Sequence, residues 1–232
     1  MKNEIIIYHG SQKIIKTPVF GDGNPRNDYG LGFYCTENLD LAKEWACTEE
    51  NSGYANKYNF DMTGLTVLNL SSEKYNILNW LSILIENRIF KISNDIAAEG
   101  KDYLSEYFLP DYKDYDVIIG YRADDSYFSF ANAFLNNTLS LHQLEKAMYL
   151  GRLGEQLVLK SKKAFEQISF SEIVPAEKEI YYPMKTARDK AAREAYRRER
   201  SNRRASDAVY LIDILREEWK SDDSRLRRNL FE

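Results

Sequence analysis

The stretch Glu4–Gln12, EIIIYHGSQ, decides how the rest of the chain is read. Ile5–Tyr8 is the first apolar run, and three β-branched residues followed by an aromatic predict a buried strand. His9, Gly10 and Ser11 follow directly and predict its end. The chain has two histidines, His9 and His142, so neither belongs to a histidine-rich metal cluster. A histidine at a strand end is ordinarily a surface or hydrogen-bonded residue. What sets His9 apart is the pattern further along the chain.

Downstream, Thr17–Gly32 is rich in Gly, Pro, Asn and Asp and reads as a loop. Gly32–Thr36, GFYCT, reads as a short strand, followed by a helix capped by Thr36 or Asn38 with Leu41, Ala42 and Trp45 on one face. Lys57–Leu70 predicts two strands around a turn at Met62–Gly64. Ile77, Trp80, Leu81, Leu84, Ile85 and Ile89 recur at helical spacing and predict an amphipathic core helix. Further helices are expected over Asp95–Phe108, Ser126–Asn136 and Leu141–Leu150. Strands are expected at Tyr115–Gly120, Glu155–Ser161 and Gln167–Phe170.

With 232 residues, 44% of them hydrophobic, the chain has material for one sizeable core with an appendage. Cys35 and Cys47 are too far apart for a CxxC motif and suit a reducing compartment. The N-terminal apolar run is too short for a signal peptide, and no stretch reaches the length of a membrane span, so a cytoplasmic protein is expected. There is no G-x-x-x-x-G-K and no strand-G-x-G-x-x-G-helix, which excludes P-loop and Rossmann nucleotide binding. No metal is expected, because the histidines and cysteines lack ligand spacing.

The segments YHGS, GLGFYCT and GEQLVL, in that order, resemble the ADP-ribosyltransferases of the diphtheria-toxin and poly-ADP-ribose-polymerase type, which carry a histidine-tyrosine-glutamate triad. Together with NDYGLGFYCTENLDLAKEWA and YDVIIGYRADD, they are still more similar to a bacterial domain family of unknown function in the same superfamily, found in toxin-antitoxin-like settings. The resemblance covers roughly Ile5–Phe170. It implies an α+β fold, a split β-sandwich with flanking helices, and the change in composition near Pro183 bounds that domain to residues 1–183, with a helical C-terminal extension over 184–232. It also implies NAD as substrate and mono-ADP-ribosylation of a macromolecule, by a toxin or phage-defence effector. The alternatives are an NAD glycohydrolase and an inactive binding module of a toxin-antitoxin system.

Under that resemblance His9 donates to the adenosine ribose hydroxyls, Ser11 supports the same ribose, and Tyr34 stacks on nicotinamide. Gly10 lets the backbone approach and pair with the nicotinamide amide. Gly30 and Gly32 keep the loop close to the cofactor, and Asn27 and Asp28 shape it. Loss of nicotinamide builds positive charge on the ribose, which needs negative potential beside it. GEQLVL offers Glu155 or Gln156 for this role, on opposite faces of a strand. A carboxylate followed by apolar residues favours Glu155, whereas the bacterial relatives place a glutamine at the position of Gln156. His9, Tyr34 and Glu155 are expected to converge on one cleft. Arg122, Asp124 and Asp125 follow a strand and could reach its mouth, though solvated charges are the commoner reading.

Lys185–Ser206 carries nine basic residues against three acidic ones in a protein of net charge −4. A solvated helix with its own ion pairs is the ordinary reading. Two partners suit it: RNA, with Tyr196 available to stack on a base, or an antitoxin-like protein anchored on Tyr210, Ile212, Leu215 and Trp219.

Overall fold

The computed structural model describes residues 3–123, 125–150, 155–201 and 208–227. The fold is α+β and divides into two units, each assembled from separate stretches of chain. The first unit holds Met1–Asn69, Tyr112–Arg122 and Leu153–Ala191; the second holds Leu70–Asp111, Ala123–Arg152 and Ala192–Glu232. Residue 183 lies inside a helix, α7 (Lys178–Ser201), and Pro183 sits in its second turn. That helix begins before the proline, which forgoes one backbone hydrogen bond there.

Two sheets build the first unit. Strands β1 (Glu4–Ser11), β3 (Gly53–Asp61) and β7 (Ile168–Ala176) form an antiparallel sheet in the order β1-β3-β7. Strands β2 (Phe33–Cys35), β6 (Glu155–Leu159), β5 (Val117–Tyr121) and β4 (Val67–Asn69) form the second, in the order β2-β6-β5-β4. β1 does not stop at the histidine. The ladder to β3 carries on through His9 opposite Asn56 and Gly10 opposite Ala55. β3 and β4 flank a turn, as the sequence predicts, but they join different sheets. A turn closed by Leu65 N–H to Met62 C=O sends the chain into the other sheet, where β4 runs parallel to β5.

The sheets share one core. Ile7, Tyr58 and Phe60 from the first meet Phe33, Cys35, Val117, Leu157 and Leu159 from the second. Ala164 of the short helix α6 (Lys162–Glu166) joins them. Helix α1 (Leu39–Ala46) is started by Asn38, whose side chain accepts from Leu41 N–H. α1 is tied to α7 by a two-pronged ion pair, Arg188 to Glu44 at 2.7 and 3.0 Å, and by Lys43 Nζ to the Tyr181 hydroxyl at 2.8 Å.

The second unit is helical: α2 (Ile77–Asn87), α3 (Asp95–Tyr107), α4 (Asp125–Leu135), α5 (Leu141–Leu150) and α8 (Leu211–Arg216). α2 is not amphipathic. Every residue from Ile77 to Ile85 is buried, including Asn79 and Ser82, whereas Ile89 beyond its end is exposed. Asn79 meets that burial with bonds to Phe108 O and Ser221 Oγ, both 2.8 Å. Trp219, expected as an anchor for a partner, is 4% exposed and belongs to this unit's own core with Leu211 and Ile214. Ile212, Leu215 and Tyr210 are half-buried.

Candidate functional site

The site is built where β1 and β2 part. They touch at one bridge, Tyr8 to Thr36, with Tyr8 N–H to Thr36 O at 2.8 Å and Thr36 N–H to Tyr8 O at 2.9 Å. Backbone groups alternate sides along a strand, so the N–H and C=O of Gly10 face the same way as those of Tyr8. The ladder does not continue there. The Tyr34 carbonyl, which would lie opposite, instead meets His9 Nδ1 at 2.7 Å. Among the described residues no hydrogen bond takes up Gly10's N–H or C=O on that side.

A carbonyl only accepts, so His9 Nδ1 carries the proton in that bond. Burial holds the imidazole pKa below its usual value, partly offset by the bond to Tyr34. His9 is therefore neutral at pH 7, and its Nε2 is an acceptor. It would accept from a ribose hydroxyl, not donate to one as the resemblance implies. The ring stacks on Phe33 with centroids 4.4 Å apart, on the face between the sheets.

Tyr34 points to the opposite face of β2. Its hydroxyl donates to Gly30 O at 2.6 Å and accepts from Tyr29 N–H at 3.0 Å. The glycine loop is thus clamped by the residue expected to stack on a cofactor. Lys160 Nζ reinforces the clamp by donating to Tyr29 O and Leu31 O, both at 2.6 Å, and burial pulls its pKa down to about 8. Gly30 closes a turn with its N–H on Asn27 O and has φ +72°, a conformation that favours glycine.

The glycines expected to hug a ligand answer first to packing. A Cβ on Gly10 would lie 2.0 Å from Ala42 O and 2.8 Å from Trp45 Cβ, so α1 lies against it. A Cβ on Gly32 would lie 2.6 Å from Val158 Cγ1. Ser11 Oγ accepts from Lys13 N–H in a local turn.

Glu155 and Gln156 open β6 and diverge. Glu155 pairs with Tyr121, is exposed, and shares the face of Leu157 and Leu159 between the sheets. Gln156 shares the face of Tyr34 and is 3% exposed. Its Nε2 donates to Asp28 Oδ2 at 2.9 Å and to Tyr121 O at 3.2 Å. Tyr34 and Gln156 therefore lie on one face, His9 and Glu155 on the other. A cavity of about 160 Å³ wraps this end of the strands, lined by Thr36, Glu37, Asn38, Ile119, Glu155, Gln156 and Leu157. Two carboxylates, Glu37 and Glu155, with the amides of Asn38 and Gln156, give it an acidic lining.

Trp45 was legible only as a packing residue of α1. In the structure it stands beside Gly10. Among the described residues its Nε1 is buried without a hydrogen-bond partner, and the Arg122 guanidinium lies 4.5 Å from the centre of its ring. A polar atom buried and unpartnered marks a place where a ligand could bind. Asp124 and the side chain of Asp125 lie outside the described residues. Among the described residues, no cluster of His, Cys, Asp or Glu is placed to hold a metal, and no helix is long and apolar enough to cross a membrane.

The chain belongs to the DUF3990 family, described as a protein of unknown function, whose model matches residues 5–170. No curated protein and no solved structure matches the chain.

Proposed function

We propose that this chain is an NAD-dependent mono-ADP-ribosyltransferase with the split β-sandwich of that superfamily, acting on a macromolecule as a bacterial toxin or phage-defence effector. The observation that carries the reading is the interrupted ladder at Gly10. One residue of an extended strand offers an N–H and a C=O side by side, and a carboxamide such as that of nicotinamide pairs with both. Here that edge faces the gap beside Tyr34, next to Trp45 with its unpartnered Nε1. The acidic cavity at the start of β6 supplies negative potential for a cationic ribose.

In the reaction, the bond between ribose C1 and the nicotinamide nitrogen breaks, and nicotinamide leaves with the electron pair. A nucleophile of the acceptor bonds to C1 and gives up its proton. His9 Nε2 accepts a hydrogen bond from a ribose hydroxyl, and Glu155 or the Gln156 oxygen faces the developing charge.

RNA is the favoured acceptor, drawn to the arginines of α7. Lys185 and Arg188 are engaged within the first unit, with Cys47 O and Glu44. On the described part of α7, Lys190, Arg193, Arg197 and Arg198 are exposed cations. Arg203, Arg204 and the Tyr196 side chain lie outside the described residues.

Incubation with labelled NAD and total cell extract tests the reading. Label in a nuclease-sensitive product supports RNA, and label in a protease-sensitive product supports a protein acceptor. Free ADP-ribose without labelled macromolecule supports the glycohydrolase reading, which the neutral side chain at Gln156 also permits. Neither product would refute the enzyme and leave a binding module.

A further inference from the structure

We propose that Asp28 is a positioning residue: its carboxylate locks the Gln156 amide so that the carbonyl oxygen is left to face a ligand hydroxyl in the cavity. The inference rests on the ADP-ribosyl-transfer reading for the identity of that ligand, a ribose.

The orientation of a glutamine amide is dictated by its partners. Gln156 Nε2 meets Asp28 Oδ2 and Tyr121 O, and a carboxylate and a carbonyl both accept. Both amide hydrogens are therefore committed, and the opposite assignment would set oxygen against oxygen twice. Among the described residues nothing donates to Gln156 Oε1, although the residue is 3% exposed and lines the cavity. An acceptor with no donor on it, on a residue that lines the cavity, suits a hydroxyl donor.

Asp28 also supplies what an amide lacks. It is 5% exposed, and its charge sits directly behind the amide N–H groups. A charge at that end polarises the amide and makes the far oxygen a stronger acceptor. The two residues together place one negative charge near the sugar, with the amide as relay.

The loop around Asp28 is built to hold it still. Tyr29, fully buried, donates its hydroxyl to the same Tyr121 carbonyl at 2.7 Å. Tyr34 and Lys160 hold Gly30, Tyr29 and Leu31 from the other side. The loop that resembles a cofactor loop acts here as a buttress for β6.

The test is NAD turnover, ADP-ribose binding and thermal melting of the full chain in four forms: wild type, Asp28→Asn, Gln156→Glu, and the exchanged pair Asp28→Asn with Gln156→Glu. Asp28→Asn should lower kcat about 10- to 100-fold with KM for NAD changed by less than about threefold. Gln156→Glu alone sets two carboxyl groups together that cannot both ionise, so its pH–rate profile should gain an ionisation absent from wild type. The exchanged pair again holds one charge and one amide. It should recover activity to within about tenfold of wild type, less the bond to Tyr121 O. Wild-type kcat in Asp28→Asn overturns the proposal. So does an exchanged pair no better than either single variant, with a melting temperature lowered alike in all three. A wild-type chain that neither binds ADP-ribose nor consumes NAD overturns the functional reading itself, and the proposal with it.

Discussion

Replacing Arg188 by Ala should unfold the first unit far more easily, and the size of the effect follows from the geometry. Arg188 grips Glu44 with two parallel bonds, at 2.7 and 3.0 Å, and the Glu44 side chain is 3% exposed while Arg188 is 26% exposed. Charge centres about 4 Å apart attract by about 4 kcal/mol at an effective dielectric near 20. Removing the cation leaves the carboxylate buried, which typically costs about 3–5 kcal/mol. For a chain of this size that corresponds to a fall in melting temperature of roughly 6–20 °C. Arg188→Lys keeps the charge but loses the fork, so it should fall between. Glu44→Leu with Arg188→Met removes both charges and should cost much less than Arg188→Ala. Calorimetry or circular dichroism would read all three. A melting temperature within about 1 °C of wild type for Arg188→Ala would refute the reasoning, as would single effects of Glu44→Leu and Arg188→Met that simply add in the double variant.

Gly10→Ala puts a methyl 2.0 Å from the Ala42 carbonyl, so α1 must shift; a loss of about 1–3 kcal/mol and impaired NAD binding are expected by melting and titration. Leu81→Ala empties a fully buried position in α2 and should cost about 2–5 kcal/mol in denaturant unfolding. His9 has a folded pKa below its ordinary 6.5, so the unfolded chain binds more protons just below that value. Its contribution is complete above pH 6.5 and declines as pH falls toward the folded pKa, so His9→Gln should flatten this part of a melting-temperature profile between pH 5 and 7. Replacing Arg197, Arg198, Arg203 and Arg204 by Ala should reduce labelling of RNA while leaving NAD binding intact. If each arginine contacts a phosphate of single-stranded RNA, the slope of log affinity against log salt should become shallower by about 3.

Elements whose evidence is local were legible. The spacing of Ile77, Trp80, Leu81, Leu84 and Ile85 announced α2, and α5 begins and ends at Leu141 and Leu150 as expected. What depends on distant pairing was not. His9 and Gly10 read as a terminator because nothing nearby shows that Asn56 and Ala55 continue the ladder. The division of β3 and β4 between two sheets is set by β7 and β5, more than forty residues downstream. For Glu155 against Gln156, alternation should have named the inward face. β6 lies between β2 and β5 and is covered on both sides, so Leu157, Val158 and Leu159 are apolar in succession and carry no phase. The Asp28 partnership was equally hidden, since a buried carboxylate in a turn-rich loop looks like an ordinary turn residue until its partner is seen.

The pairing of β2 with β6 has a consequence for how the molecule is made. Tyr34 lies opposite Val158, so β2 leaves the ribosome well over a hundred residues before its ladder partner. At ordinary rates of synthesis the delay is on the order of ten seconds. β1 can meet β3 early, but Gln156 cannot yet hold Asp28, and Phe33 and Cys35 have no β6 beside them. A ribosome carrying this chain therefore displays the histidine and tyrosine motifs long before the cavity at β6 exists. Products of premature termination before β6 should be inactive on NAD and should expose apolar strand residues to chaperones and proteases.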